Sequence, residues 1–506
     1  MSSRISSSIG RTIRKKEYES IQRASADDVD GISVGSISTR ITLDVDTVSQ
    51  FITTLFTSGF ALPLTVIIVL GILLSKAWQW NVVVLGTIAA ASVFFLIMVR
   101  RILPNVRRVQ YLDDRLNRTS LDYLGGLQTV RAYSGEDLHT GLFDRNNDAV
   151  ASNNWRVMKN LAFSYPMISA MVVLLPLAVY AVSIAILPTM SSDAQIKLVS
   201  DMTAFVMYSM MLVSACSMTL VITGVQYPRY KVSKKRISEL LALVPEGYPE
   251  TSDNPVHGGK VEFRDVTFSY PGSSGDALNG FSMTAGGGEV IALIGPSGSG
   301  KTTVANLLLR LYSIRSGSIT IDGMDLNEYS NSDLYGRISY APQKPSIFTL
   351  SMRDNIRFGS AADEVTDEEL DRIVDICRCR EIADSLPDGL DTVLSSSGRE
   401  LSGGQRQRIS IARAVCRPGD IYILDDTFSA LDPKTENAVR EAIRERLNGR
   451  TIIMMTQRAS VARCADRIYL MDSGNVVASG THEELIRSCP YYSDIVRLQS
   501  DWEAME

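Results

Sequence analysis

The sequence predicts a chain of two unlike parts: an all-α bundle of membrane-crossing helices, then an α/β domain built around a phosphate-binding loop. Three observations predict it. Four long stretches without a charged residue all lie before Arg229, and none follows it. The run Gly295-Pro296-Ser297-Gly298-Ser299-Gly300-Lys301-Thr302 fills every fixed position of the pattern G-x-x-x-x-G-K-[ST]. From Lys260 onward, short β-type runs alternate with helix-like ones in the α/β manner. A length of 506 residues accommodates two or more domains. The mean hydropathy of +0.06 is an average over dissimilar halves.

Residues 1–46 are polar, with Arg4, Arg11, Arg14, Lys15 and Lys16 near the start. No apolar core of a secretory signal follows, and Glu17, Glu19, Asp27, Asp28 and Asp30 argue against an organelle transit peptide. This stretch reads as cytosolic and partly helical. Uncharged runs then fill 47–75, 77–99, 160–192 and 202–228. Each exceeds the ~20 apolar residues that cross a bilayer as a helix. Spans are predicted at about 50–75, 78–99, 161–187 and 203–226.

The connector from Arg100 to Lys159 carries ten Lys and Arg, whereas the linkers on the other side carry only Lys76 and Lys197. By the positive-inside rule the connector and both termini are cytoplasmic. Leu121, Leu124, Leu127, Val130 and Ala132 recur at roughly helical spacing, interrupted by Gly125-Gly126. The spans therefore continue as helices into the cytoplasm, with a turn between them. A loop rich in Pro, Gly, Asp and Ser then marks a boundary. It gives a membrane domain over 1–244, a linker over 245–259 and a nucleotide-binding domain over 260–500.

The phosphate loop has its required setting, with the β-type run Val290–Ile294 before it and a helix-like run from Val304 to Leu309 after it. Glycines let backbone N–H groups approach phosphate oxygens, and the helix N-terminus adds its positive dipole end. Lys301 reaches the β/γ-phosphates, the Thr302 hydroxyl suits Mg²⁺, and Thr303 continues the helix start. This spelling predicts a bound nucleoside triphosphate. Farther on, Asp420-Ile421-Tyr422-Ile423-Leu424 is an apolar strand ending in Asp425-Asp426. Behind a phosphate loop, such a carboxylate suits Asp425 to hold Mg²⁺. Leu401-Ser402-Gly403-Gly404-Gln405 opens a helix with a Ser cap and two glycines, an anion-ready start.

Other chemistry is thin. A net charge of −5 leaves no polybasic footprint, so nucleic acid is not an expected partner. The six cysteines are scattered; Cys377 and Cys379 are wrongly spaced for zinc or redox pairs and are placed on different faces of a helix. The three histidines, His139, His257 and His482, stand far from these motifs.

Taken together, these motifs resemble the ATP-binding cassette, and the whole chain resembles the half-transporter type of ABC exporter. That resemblance implies a plasma-membrane, multi-pass subunit that exports a substrate with ATP and Mg²⁺ and pairs with a second half-transporter. It also implies that nucleotide lies between two cassettes, one giving the phosphate loop and the other the helix at Ser402, Gly403, Gly404 and Gln405. By it, Tyr270 resembles the aromatic that stacks on adenine. Gln343 resembles the glutamine that contacts Mg²⁺ and senses the membrane domain, and Ser429–Asp432 resembles the loop that crosses between cassettes.

The departures cluster around hydrolysis. The family usually places glutamate, the general base, where this chain has Asp426, and histidine where it has Gln457. Asp426 is one methylene shorter, and a misplacement of ~1 Å costs on the order of 10²-fold in rate. Glutamine donates a hydrogen bond but carries no positive charge. The stretch Ser395–Glu400 also lacks the family's usual acidic spelling. These features describe a site that holds ATP and hydrolyses it slowly, as one half of an asymmetric heterodimer whose partner is served by the intact helix at Ser402. A gated, channel-like subunit with little turnover is the alternative. The family has six spans against four here, so the first two are expected upstream of Met1. The near-absence of charge in the spans favours an apolar or amphipathic cargo.

Overall fold

The computed structural model describes residues 2–24, 32, 34–59, 61–74, 78–186, 192–222, 226–243, 248–249, 251–252, 256–273, 275–360 and 365–503. Lys76, Asp27, Asp28, Asp30, the predicted span limits at 75 and 187, and much of 245–259 lie outside them. The chain divides into a helical unit, 1–22 with 33–243, and an α/β unit, 244–506, with which 23–32 is grouped.

The helical unit begins with α1 (Ser2–Arg23), α2 (Val34–Thr39), a π-helical turn (Arg40–Asp44) and α3 (Val45–Thr54). A second π-helical turn, Leu55–Gly59, precedes α4 (Ala61–Leu74). The span predicted at 50–75 is thus not one regular helix. Pro63 lies in the first turn of α4, where its missing N–H costs little, and the wide turn before it absorbs the break.

Next come α5 (Trp78–Gly125, 48 residues), α6 (Leu127–Ala132), α7 (Glu136–Ile186, 51 residues), α8 (Ser192–Val221) and α9 (Tyr227–Leu241). The connector is therefore helical, with turns at Gly126 and Tyr133–Gly135. Of its apolar series, Val130 is buried while Leu121 and Leu124 are exposed.

Among the described residues, two stretches are long and apolar enough to cross a membrane, Gly35–Leu73 and Trp80–Met98. Val172–Ala185 and Asp201–Ala215 are shorter apolar segments within α7 and α8. Their mutual core is Val69 and Leu73 from α4, Trp80 and Val84 from α5, Leu175 and Val179 from α7, and Phe205 and Leu212 from α8. Within it the Trp80 Nε1–H donates to Ser183 Oγ at 3.0 Å, so the one polar edge of the indole is satisfied.

In the α/β unit, β1 (Val261–Phe268), β2 (Leu278–Ala285), β4 (Ser316–Ile321) and β5 (Met324–Asp325) form an antiparallel sheet in the order β2-β1-β4-β5. The second sheet comprises β3 (Val290–Ile294), β6 (Ile338–Ala341), β7 (Ile421–Asp425), β8 (Thr451–Thr456), β9 (Arg467–Asp472) and β10 (Asn475–Gly480). Its order is β10-β9-β3-β8-β7-β6, with every neighbouring pair parallel except β10–β9. β3, β7 and β8 are buried along their whole length, which explains their unbroken apolar runs.

The helices here are α10 (Lys301–Leu308), α11 (Asn331–Arg337), α12 (Met352–Arg357), α13 (Asp367–Ile376), α14 (Arg380–Asp384) and α15 (Gly403–Cys416). They continue with α16 (Pro433–Arg446), α17 (Ala459–Ala462), α18 (His482–Ser488) and α19 (Pro490–Glu503).

One expectation fails in detail. Cys377 ends α13 and Cys379 precedes α14, with Arg378 between them at φ +54°. Both thiols are fully buried in one apolar core instead of facing opposite sides of a helix, and burial pushes both upward in pKa.

Candidate functional site

The register of the parallel sheet assembles the site. Ile294 pairs with Thr456 and Asp425 with Met455, so β3, β7 and β8 end along one edge. Whatever follows each strand is delivered to the same crevice, the usual location of ligands in open α/β sheets. After β3 comes Gly295–Gly300, after β7 comes Asp426, and after β8 comes Gln457.

Sterics explain the glycines of the first loop. A Cβ on Gly295 would lie 2.1 Å from the Met471 carbonyl oxygen. Gly300 adopts φ +102° and caps α10 where a Cβ would meet Leu278 Cδ2 at 2.8 Å. Pro296, Ser297 and Gly298 form the exposed rim, while Ser299 is buried. The first N–H groups of α10, at Lys301, Thr302 and Thr303, have no carbonyl within the helix to bond and point toward the loop.

Lys301 is buried, and its Nζ donates to the Gly295 and Pro296 carbonyls, each at 2.7 Å, and to Ser299 Oγ at 3.2 Å. Burial lowers its pKa, against the opposing pull of Asp426 and Asp425. An ammonium folded onto loop carbonyls in this way can exchange them for phosphate oxygens without crossing open water.

The Thr302 hydroxyl donates to Asp425 Oδ1 at 3.3 Å, and Tyr340 OH donates to Asp425 Oδ2 at 3.5 Å. Burial raises the Asp425 carboxyl, countered by the Thr302 hydrogen bond. Hydroxyl and carboxylate oxygens gathered beside a phosphate loop are the hard donors that Mg²⁺ takes, so the residues present fit the ion. Asp426 adopts φ +46° and receives Gln343 Nε2 at 3.5 Å. Burial raises its carboxyl too, countered by Gln343, Lys301 and Arg458 in that order.

Tyr270 is half-buried, edge-on to Phe268 and Tyr312 at 4.9 and 5.1 Å between ring centroids. Its hydroxyl lies 3.2 Å from both Thr303 Oγ1 and Asn306 Nδ2, tying this aromatic to α10.

Ser402, Gly403, Gly404 and Gln405 stand in a different cleft, of about 400 Å³, shared with Ala430 and Asp432 and lined by no phosphate-loop residue. Ser402 Oγ accepts from the Gln405 N–H at 3.2 Å, and Gln405 Oε1 accepts from the Ser402 N–H at 2.8 Å, a reciprocal cap. Gln457 is exposed, and its carbonyl accepts from Gln499 Nε2 at 2.8 Å. In the stretch Ser395–Glu400, the Glu400 carboxylate accepts from the Ser395 N–H at 2.7 Å, so this acid closes its own turn.

Sequence reasoning missed Tyr340, Gln407 and Arg458, and took Ser429 only as part of the loop that resembles the one crossing between cassettes. Tyr340 reaches Asp425 only because β6 and β7 are neighbours, which no local pattern reveals. Arg458 adjoins Gln457, and that adjacency was the available signal.

The comparisons agree with this geometry. The family description "ABC transporter transmembrane region" matches residues 1–222, and "ABC transporter" matches 278–429. An uncharacterised ABC transporter ATP-binding protein of Mycobacterium tuberculosis is 32% identical over 513 residues, covering 99% of this chain and 85% of the relative. An ATP-dependent lipid A-core flippase of Pseudoalteromonas translucida is 30% identical, covering 98% and 84%. A bacterial Atm1-family ABC exporter solved with ATP bound has the same fold, with a TM-score of 0.80 at 23% identity over 98% of this chain and 86% of that one.

The chain belongs to the ABC transporters, with the membrane region and the ATP-binding cassette fused as a half-transporter. It is a membrane protein whose cassette binds ATP and couples its hydrolysis to transport.

Proposed function

We propose that this chain is the ATP-binding and membrane subunit of an exporter, that its own nucleotide site holds Mg²⁺·ATP and cleaves it slowly, and that it works with a different half-transporter. The observation that carries this reading is Asp426, a short carboxylate fixed by its backbone at φ +46° and 3.5 Å from Gln343. With one methylene fewer than glutamate, its carboxylate stops about one bond length short of where a longer side chain would meet an attacking water, and an error of ~1 Å there costs on the order of 10²-fold. Gln457 on the neighbouring strand end supplies no positive charge to compensate.

In this reading Lys301 and the α10 N-terminus grip the β- and γ-phosphates, and Tyr270 carries the adenine. Thr302, Asp425 and Gln343 hold Mg²⁺, which neutralises charge developing on the phosphates. Ser402–Gln405 complete the partner's nucleotide site, and closure of the two cassettes shifts the membrane helices between inward and outward states.

The connector's positive charge supports a cytoplasmic location for the cassette and both termini, in a plasma-membrane protein. The domain limits proposed are 1–244, 245–259 and 260–500. An amphipathic, lipid-like cargo is in keeping with the flippase among the relatives and with the scarcity of charge in the spans.

The test is ATPase turnover of this chain alone and mixed with candidate half-transporters carrying glutamate and histidine at the two altered positions. Turnover should be substantial only in the mixture and slow for the chain alone. Substantial turnover by the purified chain alone rejects the heterodimer reading.

A further inference from the structure

We propose that Arg458 is a positioning residue for ATP cleavage: held by Glu436, its guanidinium braces the loop Ser429–Asp432 behind Asp426 and ties that loop to the strand end bearing Gln457. The proposal rests on the reading that Asp426 is the carboxylate of the cleavage step.

The brace is built from the inside outward. Glu436, in the first turn of α16, is 3% exposed and grips two guanidinium groups. Arg440 Nη1 donates to its Oε1 at 2.8 Å and Arg458 Nη1 to its Oε2 at 2.5 Å. A buried carboxylate is costly to leave unpaired, so Arg458 is anchored by more than a surface ion pair would provide. Its second prong, Nη2, donates to the Ser429 carbonyl at 3.1 Å. The guanidinium holds these two donors on separate nitrogens in a fixed plane, whereas a lysine ammonium would have to reach both acceptors from a single nitrogen on a flexible stem.

Ser429 is the hub of the contacts that follow. Its N–H and Oγ donate to the Asp426 carbonyl at 3.3 and 2.8 Å. Gln407 of α15 donates to Ser429 Oγ at 3.1 Å and accepts from the Ala430 N–H at 2.9 Å. The Asp426 backbone is left-handed, a conformation that costs of order 1 kcal/mol for a residue with a side chain and persists only where surroundings over-determine it. Arg458, Ser429 and Gln407 are those surroundings. They also join α15, whose N-terminus faces the other cleft, to the carboxylate of this one.

The opposite side of the strand end has its own fastening. Gln499 of α19 donates to the Gln457 carbonyl at 2.8 Å and accepts from the Ala459 N–H at 2.7 Å. The two devices are separable: Gln499 fixes 457–459, and Arg458 fixes 429–432 relative to them.

The experiment uses the full chain in lipid nanodiscs with saturating Mg²⁺·ATP, comparing Arg458→Met, Arg458→Lys and Gln499→Ala with the parent. Amide exchange is followed by peptide, alongside single-turnover cleavage and the ATP dissociation constant. Arg458→Met should speed exchange across 429–432 by about tenfold, the effect of one lost net hydrogen bond. It should slow cleavage by on the order of 10-fold to 10²-fold while ATP affinity stays within about twofold, the split that marks loss of an interaction needed after binding. Arg458→Lys should recover part of the cleavage rate, and Gln499→Ala should speed exchange at 457–459 alone.

Unchanged exchange at 429–432, a uniform rise that includes 290–308, or a fall in ATP affinity parallel to cleavage overturns the brace. Failure of the underlying reading looks different: Asp426→Asn would then leave cleavage intact, while the exchange result still decides for or against Arg458.

Discussion

Replacing Glu17 by glutamine should convert a pH-dependent helix junction into a pH-indifferent one. Glu17 lies one helical turn after Ile13 on the inner side of α1, is 0% exposed, and has no hydrogen-bond partner among the described residues at either carboxylate oxygen. The groups around it are committed elsewhere. Ser233 donates to Asp44 Oδ1 at 2.6 Å, with Arg236 3.8 Å from Oδ2. Arg40 donates to the Arg236 carbonyl and pairs with Glu239, each at 3.2 Å, and Arg14 pairs with Asp46 at 2.6 Å. Burial, and then the negative charge of Asp44, raise the Glu17 pKa from 4.5 to about 7 against the weaker pull of Arg14 and Arg40.

The folded state therefore holds this proton more tightly than the unfolded chain does. The associated stability is complete below pH 4.5 and is lost as pH rises through about 7. At 1.36 kcal/mol per pH unit the loss amounts to roughly 3 kcal/mol. Glutamine stays neutral throughout, so the variant should match the parent near pH 4 and exceed it by up to about 3 kcal/mol at pH 8. Thermal unfolding of the full chain in nanodiscs, scanned from pH 4 to 8, provides the measurement. Parallel pH profiles for the two proteins would refute the reasoning.

Three further outcomes follow from contacts already described. Lys301→Met should leave the cassette folded and weaken Mg²⁺·ATP retention by more than about tenfold, read by filter binding, because a charge-assisted phosphate contact is lost. Gly300→Ala should cost about 1–2 kcal/mol from its left-handed backbone alone, with more from the Leu278 contact at 2.8 Å, lowering the cassette's unfolding midpoint. Trp80→Phe should remove the hydrogen bond to Ser183 and destabilise the helical unit by about 1 kcal/mol, measured by unfolding in detergent, with ATP retention unaltered.

The parts of the site written locally are legible in the sequence. Gly295–Thr302 specifies its loop because glycine, lysine and threonine are needed at fixed offsets, and Asp425 ends a strand apolar enough to be recognised alone. The paired domains were legible from the clustering of uncharged runs. What escaped depended on pairing distant segments. Tyr340 meets Asp425 through strand order, Arg458 meets Ser429 through a buried glutamate on another helix, and Glu17 becomes unusual only once α1 packs against α3 and α9. The cysteine spacing misled because a left-handed Arg378 breaks the helix that would have separated the thiols. The break at Leu55–Gly59 was hidden because a π-helical turn has no distinctive composition.

Single-turnover cleavage of bound Mg²⁺·ATP by the purified chain, compared with its Asp426→Glu, Gln457→His double variant, tests the central claim most directly. Both proteins should retain nucleotide equally well, with the double variant cleaving on the order of 10²-fold faster. Equal cleavage rates would show that Asp426 and Gln457 do not limit this site and would contradict the account.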